Sequence, residues 1–136
     1  MASKEKIEGL SEEEVLRRLL DADIIPEKTV VLERLKIPVT LMGLTGKQVF
    51  QIQERCTIHN KKTGADRIDT EDFNVGLISA ATKRPNWGAP ALTGKFKASG
   101  PEEVIKRALL AGEMSALGDI VLDLSGYNID LDDTKN

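Results

Sequence analysis

The chain has 136 residues, about one ordinary domain, and its 40% apolar and 30% charged content is that of a globular protein rather than a disordered one. Only 4% is aromatic, so the core must be built mainly from Leu, Ile, Val and Ala. A formal net charge of −3 argues against a nucleic-acid surface, which is normally marked by a basic excess, and no apolar run approaches the roughly 18 residues of a membrane span.

Residues 1–10 read as a charged lead-in without the apolar run of a signal peptide, so the cytosol is the expected compartment. Ser11-Glu12-Glu13-Glu14 fits a capping box and opens a helix to about Asp21, with Val15, Leu16, Leu19 and Leu20 on one face. Pro26 closes that element. Two short strands follow, Thr29 to Leu35 and Ile37 to Met42, paired through a tight turn near Arg34 to Lys36. Pro38 lacks an amide hydrogen, so the second strand is expected to be an edge there or to start just after it. Thr45-Gly46-Lys47-Gln48 is a second capping box, opening a helix to about Ile58. His59 to Asp69 reads as a loop. Asp69 or Thr70 caps a third helix with Phe73, Leu77, Ala80 and Ala81 on one face, ending before Pro85. Pro85-Asn86-Trp87-Gly88-Ala89-Pro90 and the residues through Lys95 read as loop. Ser99-Gly100-Pro101-Glu102 starts a helix that buries Val104, Ile105, Ala108 and Leu109, with Gly112 ending or kinking it. A last helix carries Met114, Leu117, Ile120, Val121 and Leu124, and Gly126 stops it. The expected fold is α+β and mostly α: an N-terminal helix, a short two-stranded β-hairpin, then about four helices packed as a small bundle. Residues 11–127 form a single globular domain in this reading, and 128–136 an acidic tail.

Catalytic and cofactor motifs are not found. Gly43-Leu44-Thr45-Gly46-Lys47 superficially resembles a phosphate-binding loop, but that motif needs four residues between its glycines and a hydroxyl directly after the lysine. Two residues intervene here and Gln48 follows, so a helix-capping turn is the better reading. Cys56 and His59 are close enough to share a metal, yet the chain has no second Cys or His to complete a structural zinc site. One cysteine also rules out an internal disulfide. Asp66, Asp69, Glu71 and Asp72 lack the alternating oxygens and central glycine of a calcium loop. The chain is therefore read as a non-enzyme that needs no cofactor or metal and works by binding protein. Trp87 is either a lid on the core or a binding anchor. The seam from Met114 to Leu124 poses the same choice between core packing and a docking groove.

The segment Phe73 to Thr82, the Pro/Trp loop after it, the run Gly100 to Glu113 and the ending Glu113 to Tyr127 together resemble the XkdN-like phage tail assembly chaperones, as of a prophage-encoded member. The extended segment upstream and Leu44-Thr45-Gly46-Lys47 fit the same layout, so the resemblance covers most of residues 11–127. It implies a chaperone that binds the tape-measure protein during tail assembly, with the tail-tube protein as a further partner and no catalytic residues. The alternative is a tail-completion or connector component retained in the virion. Such a chaperone needs apolar surface that can accept an apolar helix, and Trp87, Leu109, Met114, Leu117 and Val121 are the residues expected to border it; Met suits varied partners. A surface of that kind also favours self-association.

Overall fold

The computed structural model describes residues 7–22, 25–127 and Ile129. The first six residues of the expected lead-in lie outside the described residues, as does the acidic tail apart from Ile129. The chain divides into an N-terminal unit, described from Ile7 to Ala22, and a larger unit from Ile25 to Ile129.

The N-terminal unit holds helix α1, Glu12–Leu20. The Ser11 hydroxyl accepts from the Glu14 amide at 3.2 Å and donates to the Glu14 carboxylate at 3.1 Å, satisfying a helix-start amide that would otherwise lack a partner. Glu12, Glu13 and Glu14 sit at the positive end of the helix dipole and Arg17 and Arg18 at the negative end.

In the larger unit, β1 (Glu27–Leu32) and β2 (Ile37–Met42) form the predicted antiparallel hairpin, turning through Lys36 at φ 56°. A third strand, β5 (Thr82–Arg84), pairs with the other side of β2 and gives the order β1-β2-β5. Pro38 thus lies in a central strand. It is tolerated because β5 pairs only with Thr40 and Leu41, leaving β2 an edge at Pro38 where no ladder partner needs its missing amide hydrogen. Val39 and Leu41 are fully buried on the core side, and on the other side the Thr29 and Thr40 hydroxyls bond at 2.8 Å.

Helix α2, Gly46–Arg55, begins with the predicted capping box between Thr45 and Gln48. It ends before Ile58, and what reads in sequence as helix end and loop is a second two-stranded sheet, β3 (Thr57–His59) with β4 (Asp66–Ile68). Helix α3, Thr70–Ala81, is capped by Asp69, whose carboxylate accepts from the Asp72 amide at 2.9 Å. It packs against α2, the sheet and two later helices, so Val75, Gly76, Leu77, Ile78 and Ala81 are all buried while Ala80, expected inside, is exposed.

The Trp-containing segment leads into a further helix, α4 (Pro90–Phe96), where the sequence reads as loop. Helix α5, Pro101–Ala108, starts at Gly100. Ser99 is not the acceptor cap its position suggests; its amide and hydroxyl both donate to Glu103 at 2.7 Å. The break to α6 (Ala111–Leu124) falls at Leu109 and Leu110, so Gly112 lies in the first turn of α6 rather than at the end of α5. Helices α3, α5 and α6, with the inner face of the three-stranded sheet, enclose the core. The result is an α+β, mostly helical protein, as the sequence predicts.

Candidate protein-binding surface

Each of the five residues expected to border a docking groove lies in the core. Val121 is fully buried, Leu117 is 1% exposed, and Leu109, Trp87 and Met114 are 5–8% exposed. Trp87 is the lid its alternative reading describes: its indole N–H donates to the Thr82 hydroxyl at 3.1 Å, and that hydroxyl donates to the Ile78 carbonyl at 2.6 Å. Met114, Leu117 and Val121 are spaced along the face of α6 that meets α3 and the sheet. These side chains cannot touch a partner unless the core opens. The expected surface at these positions is therefore corrected to core packing, because α6 finds its apolar partner within its own unit.

Apolar side chains face solvent on α1 (Val15, Leu16, Leu19 and Leu20), at Val31, Leu35, Leu110 and Tyr127, and, beside two open clefts, around α2 and the β3–β4 hairpin. Phe50 is 60% exposed, Ile58 39% and Ile68 36%. Local chemistry builds the hairpin. Thr57 Oγ1 donates to the Gln53 carbonyl at 2.8 Å and turns the chain out of α2, and the Asp69 amide returns to the Cys56 carbonyl at 2.9 Å. Between the strands, the Asn60 side-chain oxygen accepts from the amides of Lys62 and Thr63 at 2.9 and 3.2 Å, and Gly64 adopts φ 72°, the left-handed conformation that glycine takes without steric cost. Thr57, Ile58 and His59 pair with Ile68, Arg67 and Asp66, and the His59 ring nitrogen Nδ1 meets the Asp66 carboxylate at 2.7 Å.

Two open clefts flank this hairpin. One, of about 550 Å³, lies between Phe50, Gln53 and Glu54 of α2 and Thr57, His59 and Asp66. The other, of about 390 Å³, is lined by Ile58, Ala65, Lys61, Lys62 and Arg67 together with His59, Asn60 and Asp66. Among the described residues no ion pair engages Lys61, Lys62 or Arg67. Cys56, beneath the hairpin, is buried, and burial raises its thiol pKa, which keeps it protonated and a poor nucleophile. Among the described residues no cluster of His, Cys, Asp and Glu has the makings of a metal site. No described helix is long and apolar enough to cross a membrane. The arrangement is suited to contact with another macromolecule.

The profile of the phage XkdN-like tail assembly chaperone proteins matches residues 8–136. The chain belongs to this family of tail assembly chaperones. The chaperone's fold is similar to that in the crystal structure of the protein YqbN, with a TM-score of 0.55 at 20% identity over 76% of this chain and 87% of that one. None of the curated proteins compared with the chaperone matches it at a significant level. Sequence reading missed the hairpin that borders these two clefts. Its signal was present in Lys61-Lys62-Thr63-Gly64, a turn sequence flanked by Thr57-Ile58 and Arg67-Ile68, but each strand is only three residues long.

Proposed function

We propose that this tail assembly chaperone binds the tape-measure protein of its phage in the host cytoplasm, keeps that chain soluble until the tail tube forms around it, and performs no catalytic step. The tail-tube protein is its second partner. The family match over residues 8–136 is the observation that carries the reading. The geometry supports it: the clefts beside the β3–β4 hairpin are open, and the exposed apolar side chains Phe50, Ile58 and Ile68 stand beside them.

Co-expression with the tape-measure protein from the same gene cluster tests this. Soluble recovery of the tape-measure protein should rise, and the two chains should co-purify. Unchanged recovery removes the main claim. Finding the chain in purified, finished tails favours a structural component instead.

A further inference from the structure

We propose that the cationic side of the β3–β4 hairpin docks an acidic segment of the tape-measure protein that also presents apolar side chains; this rests on the tape-measure reading above. Ile58 and Arg67 are directly paired across the two strands, so their side chains leave the ribbon on the same side. Ala65 and the turn lysines Lys61 and Lys62 complete the cleft of about 390 Å³ over that side. Its apolar part is Ile58, 39% exposed, with Ala65.

The charges point to the sign of the partner. Lys61, Lys62 and Arg67 carry no ion pair among the described residues, a condition they share with Lys28, Lys47, Arg84, Lys95 and Lys97, but these three line one cleft together. Asp66, the carboxylate that lines the cleft, is held by His59 at 2.7 Å. On a chain of net charge −3 the hairpin is a local island of positive charge, and it attracts carboxylates rather than a second basic surface. Phosphates carry the same sign of charge. The one ring lining the cleft is the His59 imidazole, which is tied to the Asp66 carboxylate, and the apolar side chains beside it favour a protein segment. The hairpin also gains from being covered. A two-stranded ribbon with three residues per strand is marginal alone, and apart from Thr57 each of its strand residues is exposed.

Charge reversal tests the assignment. Lys61→Glu, Lys62→Glu and Arg67→Glu are combined in the full chain, and binding to the co-expressed tape-measure protein is measured over a salt series. The charges lie on the surface, so the thermal midpoint should stay within a few degrees of the wild type. Binding should weaken by about tenfold or more at low salt, and the difference should shrink as salt screens the contact. Ile58→Ser, which keeps the charges, should weaken binding at every salt concentration. A reversed variant that folds and binds like the wild type overturns the docking assignment while the chaperone reading stands. If Phe50→Ser abolishes binding and the charge reversal does not, the cleft on the other side is the site and the proposal fails. If the reversal removes only binding to duplex DNA, the cleft is a phosphate surface and the proposal again fails. Should the wild type itself not bind the tape-measure protein, both readings fall together.

Discussion

Gly43 and Gly112 differ in what a methyl group would meet. A Cβ on Gly43 would lie 2.5 Å from the backbone oxygen of Leu124 and 3.1 Å from its carbonyl carbon, and neither can rotate away. The same junction is fixed by the Gly43 amide donating to the Pro26 carbonyl at 2.8 Å and the Leu44 amide to the Ser125 hydroxyl at 2.9 Å. Replacing glycine by alanine restricts the unfolded chain and gains about 0.4–1 kcal/mol where space allows, but overpacking against backbone costs about 1–3 kcal/mol. Gly43→Ala should therefore destabilise the protein by about 1–2 kcal/mol, the difference between those terms. Gly112 lies in the first turn of α6 with nothing within 4 Å, so Gly112→Ala should stabilise it by about 0.5 kcal/mol. Urea unfolding of the two variants checks both signs. Equal shifts in the same direction would contradict the packing described at Gly43.

Some elements carry their own instructions and others borrow them. The capping box at Thr45 and the side-chain caps at Ser11 and Asp69 are written in adjacent residues, and those helix starts were legible in the sequence. So was the β1–β2 hairpin, with its β-branched strands and short turn. Helix α4 was not legible, because Thr93-Gly94 are poor helix formers and its end is completed from elsewhere: the Arg107 guanidinium of α5 donates to the carbonyls of Phe96 and Lys97. Strand β5 is three residues that count as a strand only because β2 lies alongside. The candidate surface failed to show for a related reason. The seam of α6 has the same spacing whether it meets a partner or its own core, and only the position of α3 decides between them. Arg107→Ala should speed amide exchange across α4 while leaving α3 protected, since Arg107 donates to the end of α4 and, within α5, to Glu103, and to nothing on α3. Uniform loss of protection in both helices would mean that Arg107 supports the whole core instead.

Across the larger unit, one carboxylate joins parts that are far apart in the chain. Glu113, in the first turn of α6, accepts from the Arg34 guanidinium at 2.7 and 3.1 Å and from the Leu110 amide at 2.8 Å. Arg34, in the β1–β2 turn, also donates to the Ala108 carbonyl at 2.9 Å, so the turn, the end of α5 and the start of α6 meet at one ion pair. The Arg34 hydrogen bond, then the Leu110 amide, lower the Glu113 pKa from its ordinary value of 4.5. Glu103 is lowered in the same direction by the amide and hydroxyl of Ser99. A carboxyl whose pKa is depressed on folding releases its proton more readily folded than unfolded. Its contribution is present above the unfolded value and is lost as pH falls through the folded one. The urea midpoint should therefore hold steady from about pH 7 to about pH 5 and decline below the ordinary carboxyl value of 4.5. Glu113→Gln keeps the shape of the side chain and removes the charge. Its deficit relative to the wild type should be clear at about pH 7 and narrow as the medium is acidified below that value, because the wild-type carboxyl is then neutral too. A deficit of the same size at both ends of the titration would show that Glu113 joins the turn to the helices by shape and hydrogen bonding alone, with no contribution from its charge.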